Sequence, residues 1–259
     1  MKNIKVALIQ MKVIDNKDKN LAKAEKLINK AVKNEVDFVM LPEMFNCPYQ
    51  NEKFPEYAEK EGEKSWQFLA DIAQKNDIYL VGGSIPEKDN KDNIYNTSYV
   101  FNNKGEEIAK HRKMHLFDID VEGGQTFKES DTLTAGNEIT TFTTPYGKMG
   151  IVVCYDLRFP ELSALLSKKG VDFILVPGAF NMTTGPAHWE LLFRSRALDN
   201  QVYTMGVAPA RDRNQSYVSY GNSIVVSPWG EVLKRLGGEE GILIANIDLD
   251  YLEKVRKEL

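Results

Sequence analysis

Val36-Asp-Phe-Val-Met-Leu-Pro-Glu-Met-Phe45 returns later in the chain as Val171-Asp-Phe-Ile-Leu-Val-Pro-Gly-Ala-Phe180. An echo of that length marks an internal repeat, and the flanking segments extend it. Upstream of the first copy lie the strand-like Lys5-Val-Ala-Leu-Ile-Gln-Met11 and a helical segment, 16–34, whose Leu21, Ala24, Leu27, Ile28 and Ala31 share one face. Upstream of the second lie Lys148-Met-Gly-Ile-Val-Val-Cys154 and a helix over 159–169 carrying Leu162, Leu165 and Leu166. Downstream, helical segments 63–75 and 188–198 precede apolar runs at 78–85 and 202–208, then strands at 95–102 and 222–228. Similar turns follow, Lys104-Gly-Glu-Glu107 and Trp229-Gly-Glu-Val232.

Each half therefore reads β-α-β-α-β-β, with apolar strands of the kind buried on both faces in parallel sheets. One sheet per half, packed face to face with helices outside, predicts a four-layer α-β-β-α sandwich with a pseudo-two-fold repeat. No linker separates the halves, so residues 1–259 are expected to form one α/β domain rather than two. Residues 242–249 add a last strand, and 250–259 a charged helix or tail.

A net charge of −4 and a pI near 5.6 give no basic footprint for nucleic acid and point to a small, soluble substrate. The opening residues 1–10 are apolar over too short a run for a signal peptide, and no run approaches membrane-spanning length. Cys47 and Cys154 are the only cysteines, which is no disulfide framework and suits a reducing compartment, the cytoplasm. The segments 46–59 and 115–134 lack periodicity, and long ordered loops often carry function.

Ligands of open α/β sheets gather at the carboxyl ends of strands. Cys154 ends an apolar run and is followed by Tyr155-Asp-Leu-Arg-Phe-Pro-Glu161, so a strand there is expected to turn into a helix. A helix N-terminus would lower the thiol's pKa and offer N–H groups to an oxyanion. The alternative is a buried cysteine that fills space. Glu43 also follows a buried strand, where desolvation would raise its pKa toward the range of a general base; otherwise it is a solvated loop carboxylate. In the alignment of the halves Glu43 matches Gly178 and Cys154 matches Met11, so equivalent positions carry different groups.

Lys113, in His111-Arg-Lys-Met-His115, offers a fixed positive charge against a developing oxyanion, or belongs to a merely solvated basic cluster. A Cys–His mechanism would draw on His111, His115 or His188, none of which the sequence excludes. The spacing of His111 and His115 is metal-like, but Lys110, Arg112 and Lys113 would repel a dication, and no metal site is expected. Cys154 and Arg158 stand too close for a phosphatase loop, and no glycine-rich nucleotide motif occurs. Cys47, in Asn46-Cys-Pro-Tyr49, reads as a loop residue.

With Glu43, Lys113 and Cys154 each at the end of a strand-like element, the chain resembles the nitrilase superfamily of carbon–nitrogen hydrolases over essentially its whole length. Leu41-Pro-Glu-Met44, His111-Arg-Lys113 and Cys154-Tyr-Asp-Leu-Arg-Phe159 carry the match. His115-Leu-Phe-Asp-Ile-Asp120, the run 177–190, the run 194–201 and Pro209-Ala-Arg-Asp212 are similar to its ω-amidase branch. The resemblance implies a Glu-Lys-Cys triad and assigns a second family glutamate to Glu129, in Thr126-Phe-Lys-Glu-Ser130. It also implies an oxyanion held by Lys113 and the Tyr155 N–H, no cofactor, and a homodimer with 250–259 crossing to the partner. Implied substrates are dicarboxylic acid monoamides such as 2-oxoglutaramate, 2-oxosuccinamate or succinamate. Their carboxylate needs a partner, since an unpaired buried charge is costly. Tyr49, Arg158 and Thr183, on motif loops, are the candidates, although Arg158 equally suits a structural ion pair bracing the cysteine turn. N-carbamoyl amines or deaminated glutathione remain alternative substrates, and a catalytically silent scaffolding protein an alternative function.

Overall fold

The computed structural model describes residues 3–259; Met1 and Lys2, at the start of the segment weighed as a signal peptide, lie outside the described residues. In chain order the elements of the first half are β1 (Asn3–Gln10), α1 (Lys17–Ala31), β2 (Phe38–Met40), α2 (Lys53–Tyr57), α3 (Lys64–Asn76), β3 (Tyr79–Val81), β4 (Ile85–Lys88), β5 (Ile94–Phe101) and β6 (Glu107–Arg112). A hairpin of β7 (Asp118–Asp120) and β8 (Thr126–Lys128) leads to β9 (Thr140–Thr144) and β10 (Gly147–Ile151). Then come α4 (Pro160–Lys168), β11 (Phe173–Pro177), α5 (Gly185–Asn200), β12 (Tyr203–Val207), β13 (Ile224–Val226), β14 (Val232–Arg235), β15 (Gly241–Asp248) and α6 (Leu249–Glu258).

The repeat is visible residue by residue in the sheet register. Val6, Phe38 and Tyr79 lie abreast across parallel β1, β2 and β3, while Met149, Phe173 and Tyr203 lie abreast across parallel β10, β11 and β12. One sheet runs β15-β1-β2-β3-β5-β4 with β6 also on β5; the other runs β14-β13-β12-β11-β10-β9. Antiparallel β15 borders β1 as antiparallel β9 borders β10, so the last strand of the chain completes the first half's sheet.

Alternation within the strands explains why they are apolar throughout. Val6, Leu8, Phe38 and Met40 share one cluster with Met149, Ile151, Phe173 and Leu175, between the two sheets. Ala7, Ile9 and Val39 point the other way, against Leu21 and Ile28 of α1 and Leu69 and Ile72 of α3. Ile174 and Val176 likewise meet Leu162 and Leu166 of α4 and Trp189 and Phe193 of α5. The resulting order is helix, sheet, sheet, helix.

Boundaries moved where backbone chemistry intervened. The run 78–85 is broken into β3 and β4 at Gly83, which has φ +60°; a Cβ there would lie 2.1 Å from the Pro42 carbonyl oxygen. α5 begins at Gly185 rather than 188, because Pro186 in its first turn needs no N–H partner. The aperiodic segments hold α2, the β7–β8 hairpin and a short 3-10 turn at Glu129–Asp131. The terminal segment is a helix, α6, anchored on its own chain: Leu252 and Val255 are buried, and Arg256 pairs with Asp172 at 2.7 Å. Among the described residues no helix is long and apolar enough to cross a membrane.

Candidate active site

Three strands deliver the three expected groups to one place. Glu43 follows β2, Lys113 follows β6 and Cys154 follows β10, while Glu129 arrives on the 3-10 turn after β8. Glu43, Lys113 and Glu129 are fully buried and Cys154 is only 3% exposed, which excludes a solvated role for each of them. Lys113 Nζ donates to Glu43 Oε1 at 3.1 Å and lies 2.8 Å from Glu129 Oε2. The Cys154 thiol and the Glu43 carboxylate are neighbours close enough for each to shift the other's pKa. Glu43 is held by two further donors: Asn96 Nδ2 at 2.8 Å on Oε1 and the Ala179 N–H at 2.6 Å on Oε2.

The repeat explains one of these contacts. Gly178 occupies the position of Glu43 in the second half, and a Cβ there would lie 3.2 Å from the Trp189 ring and 3.5 Å from the Cys154 Cα. Without a side chain at 178, β11 approaches closely enough for the next residue to reach Glu43 with its N–H.

Electrostatics corrects one expectation. Burial, reinforced by the Glu43 charge, pushes the Cys154 thiol well above its ordinary pKa, so the resting group is a thiol and not a helix-stabilised thiolate. The element following it is a 3-10 turn, Cys154–Arg158, and α4 starts only at Pro160, too far for its dipole to dominate. Activation must therefore come from a base. Burial raises the Glu43 pKa, with Lys113 opposing and Glu129 adding to the shift. Burial alone would lower Lys113, but the Glu129 and Glu43 charges outweigh it and hold the ammonium protonated.

The turn itself is strained and braced. Cys154 has φ +50° and Met44, next to Glu43, φ +51°, conformations that cost a non-glycine residue about 1–3 kcal/mol. Asp156, which the sequence reading passed over although it lies inside the cysteine motif, is buried and holds the turn. It accepts from the N–H groups of Val153 at 3.0 Å and His115 at 2.8 Å, and from His111 Nε2 at 3.2 Å and His115 Nδ1 at 2.7 Å. Those partners bring the Lys113 segment to the Cys154 turn and commit both histidines to one carboxylate. Among the described residues no cluster of histidine, cysteine and carboxylate side chains is placed to hold a metal. Arg196, also passed over, donates from Nε to the Leu157 carbonyl at 3.1 Å.

Burial works against the Asp156 carboxylate, but the hydrogen bonds from His111 and His115 outweigh it and pull its pKa below the ordinary aspartate value. A depressed folded-state pKa gives stability that is fully present above the unfolded value, about 3.9, and is lost as pH falls below it. Asp156→Ala should cost about 3 kcal/mol or more at pH 7, since several buried donors lose their acceptor. The deficit should shrink toward pH 3. Urea unfolding of both proteins at pH 7, 5 and 3.5 measures this, and a pH-independent deficit would show that packing, not charge, is what Asp156 supplies.

The remaining candidates separate. Tyr49 is buried within the cluster, its hydroxyl bonded to Glu129 Oε1 at 2.5 Å. Tyr155 lies in the first turn after the strand, where N–H groups lack intrahelical acceptors. Thr183 is exposed on the rim of a cleft of about 780 Å³ whose walls include Tyr49, Phe127 and Tyr217. Arg158 differs from expectation: among the described residues it makes no ion pair. Its guanidinium lies 4.9 Å from the Phe180 ring centre and 5.3 Å from that of Tyr155, Nη1 is 3.0 Å from His188 Nδ1, and buried Nε has no partner. Arg196 braces the turn instead. Asn96, which touches Glu43 from β5, carried no local sequence signal.

The chain matches the carbon-nitrogen hydrolase family over residues 5–257. It is 51% identical to "Omega-amidase NIT2" of Xenopus tropicalis and 49% identical to that of Homo sapiens, in each case across all of this chain and 94% of the relative. Its structure is similar to the crystal structure of Saccharomyces cerevisiae Nit3, a member of branch 10 of the nitrilase superfamily. The TM-score is 0.93 at 45% identity, covering all of this chain and 94% of the other.

Proposed function

The chain belongs to the carbon–nitrogen hydrolase family, and from that membership we propose that it is an ω-amidase, releasing ammonia from the terminal amide of dicarboxylic acid monoamides such as 2-oxoglutaramate, 2-oxosuccinamate or succinamate. The observation that carries the chemistry is Glu43, buried, hydrogen-bonded to the Lys113 ammonium and electrostatically coupled to the neighbouring Cys154 thiol.

Glu43 takes the thiol proton as sulfur attacks the amide carbon, and the oxyanion that forms is stabilised by Lys113 and the Tyr155 N–H. Glu43 then protonates the departing nitrogen, leaving a thioester on Cys154. Water attacks the thioester, giving its proton to Glu43 and expelling the sulfur, which recovers it. Glu129 keeps Lys113 charged and in place. The raised pKa of Glu43 suits a group that must both accept and return a proton.

Arg158 receives the substrate's carboxylate in this reading, supported by its lack of any protein carboxylate and its unpartnered Nε. Thr183 and the cleft around it form the approach. Arg158→Met should raise KM for succinamate about tenfold or more, the loss of a charge-assisted hydrogen bond of roughly 1.5–3 kcal/mol. KM for butanamide, which lacks the carboxylate, should not move, and an equal rise for both would remove Arg158 from binding.

Ammonia release from a panel of ω-amides, N-carbamoyl amines, deaminated glutathione and nitriles tests the whole assignment. The ω-amides should be fastest; faster turnover of any other class would overturn the substrate assignment.

We read residues 1–259 as one catalytic domain, since the cluster between the sheets draws on both halves. We assign it to the cytoplasm, since its two free cysteines suit a reducing compartment and the proposed nucleophile must remain a thiol. A homodimer fits the exposed Leu191 and Leu198 of α5, with Leu165 and Trp229 nearby, better than it fits α6, whose apolar face is already used. Light scattering at twice the chain mass is the expected result, and a monomer would remove this part of the proposal.

A further inference from the structure

A second, smaller cavity of about 40 Å³ borders Glu43, and neither Cys154 nor Arg158 lines it. Its inner end is formed by Glu43 and Ala179, which share the bond from the Ala179 N–H to Glu43 Oε2; its outer end reaches the half-exposed Asp212 and Gln215. Tyr49 and Tyr217, with ring centres 4.4 Å apart, border both this cavity and the larger cleft and stand as the partition between them. Cys47 and Ala210, both buried, line its middle. The Cys47 thiol donates to the Pro48 carbonyl oxygen at 3.2 Å and serves as a wall of the cavity.

The chemistry leaves a need that this space meets. Resting on the ω-amidase reading, the second half-reaction requires water beside Glu43 while an acyl group sits on Cys154, a residue only 3% exposed. A single water needs about 10–15 Å³ of such volume and two to four polar partners. The cavity has room for about three by that measure, with a carboxylate at each end and an amide at its mouth.

We propose that this cavity holds and delivers the water that hydrolyses the Cys154 thioester, by a route separate from the one the amide takes. A water hydrogen-bonded to Glu43 gives up its proton to that carboxylate as its oxygen bonds the thioester carbon. The carbon–sulfur bond then breaks, and the sulfur takes the proton back from Glu43. The next water moves in past Asp212 and Gln215.

Filling the cavity tests the route. Cys47→Met and Ala210→Val are two independent fillings, and Cys47→Ala enlarges the space. With succinamate, rapid-quench measurement of the first ammonia released reads acylation, and intact mass reads acyl-Cys154. The filled variants should acylate within about twofold of the parent, accumulate acyl-enzyme, and lose about tenfold in steady-state turnover, equivalent to ~1.4 kcal/mol in the deacylation barrier. Cys47→Ala should turn over at the parental rate. Parental turnover without acyl-enzyme in both filled variants would overturn the route, as would equal losses in acylation and deacylation, which would mean that the residues only position Glu43. If the parent itself neither releases ammonia nor forms acyl-Cys154, the ω-amidase reading fails instead.

Discussion

Cys154→Ala should fold as the parent does and release no measurable ammonia from any ω-amide. Removal of a nucleophile from a covalent mechanism costs about 10⁴-fold or more in kcat, because the remaining groups act only through it. The fold should survive, since alanine fits a site already closed by Val153, Leu157 and Trp189, and the loss of one sulfur is worth about 1 kcal/mol. Intact-mass measurement on acid-quenched parent should find the acyl group on Cys154, and none on Cys47. Full activity in the alanine variant would end the nucleophile assignment. Because the resting thiol has a raised pKa, alkylation by iodoacetamide should also be slow at pH 7 despite the residue's catalytic role.

Lys113→Met should have the largest effect on stability. In the parent, one ammonium sits between two fully buried carboxylates, 3.1 Å from Glu43 and 2.8 Å from Glu129. Removing it leaves two buried like charges without their counter-ion, a change that typically costs about 3–5 kcal/mol. The pH dependence has a definite sign. Without the cation burial is left largely unopposed in raising the folded-state pKa of Glu43 above the unfolded value of about 4.3, so the variant's stability is fully present below that value and is lost as pH rises through the folded one. The difference between variant and parent, measured by urea unfolding, should therefore be small near pH 4.5 and grow toward pH 8. A deficit constant across that range would mean that Lys113 contributes through packing rather than charge. Activity should fall about 10³-fold even where the variant is folded, as the oxyanion loses its nearest charge.

Much of this site was legible because strands end where their apolar runs end. Glu43 and Cys154 each follow a run of buried residues, and the echo between 36–45 and 171–180 placed those two ends at equivalent edges. What escaped notice had no periodic signature. Asn96 lies inside β5, Arg196 on α5, and Asp156 within a motif already credited to its neighbours; each acts on a partner distant in sequence, Asn96 on Glu43, Arg196 on Leu157 and Asp156 on His111. The state of the thiol lies beyond local sequence for a related reason. Local sequence placed a helix after Cys154, but its protonation depends on burial and on Glu43, both set by the other half of the chain.

The sequence alone thus determined the repeat, the two sheets and the residues at their strand ends, because side-chain periodicity and backbone capping are local properties that a chain carries with it. Only the tertiary structure decided which of those ends meet and in what charge state. It closed β15 onto β1, seated Lys113 between two carboxylates, left Arg158 without a carboxylate partner among the described residues, and opened the small cavity beside Glu43. The energies of buried charges depend on every group within a few ångströms, and those groups come from segments far apart in sequence.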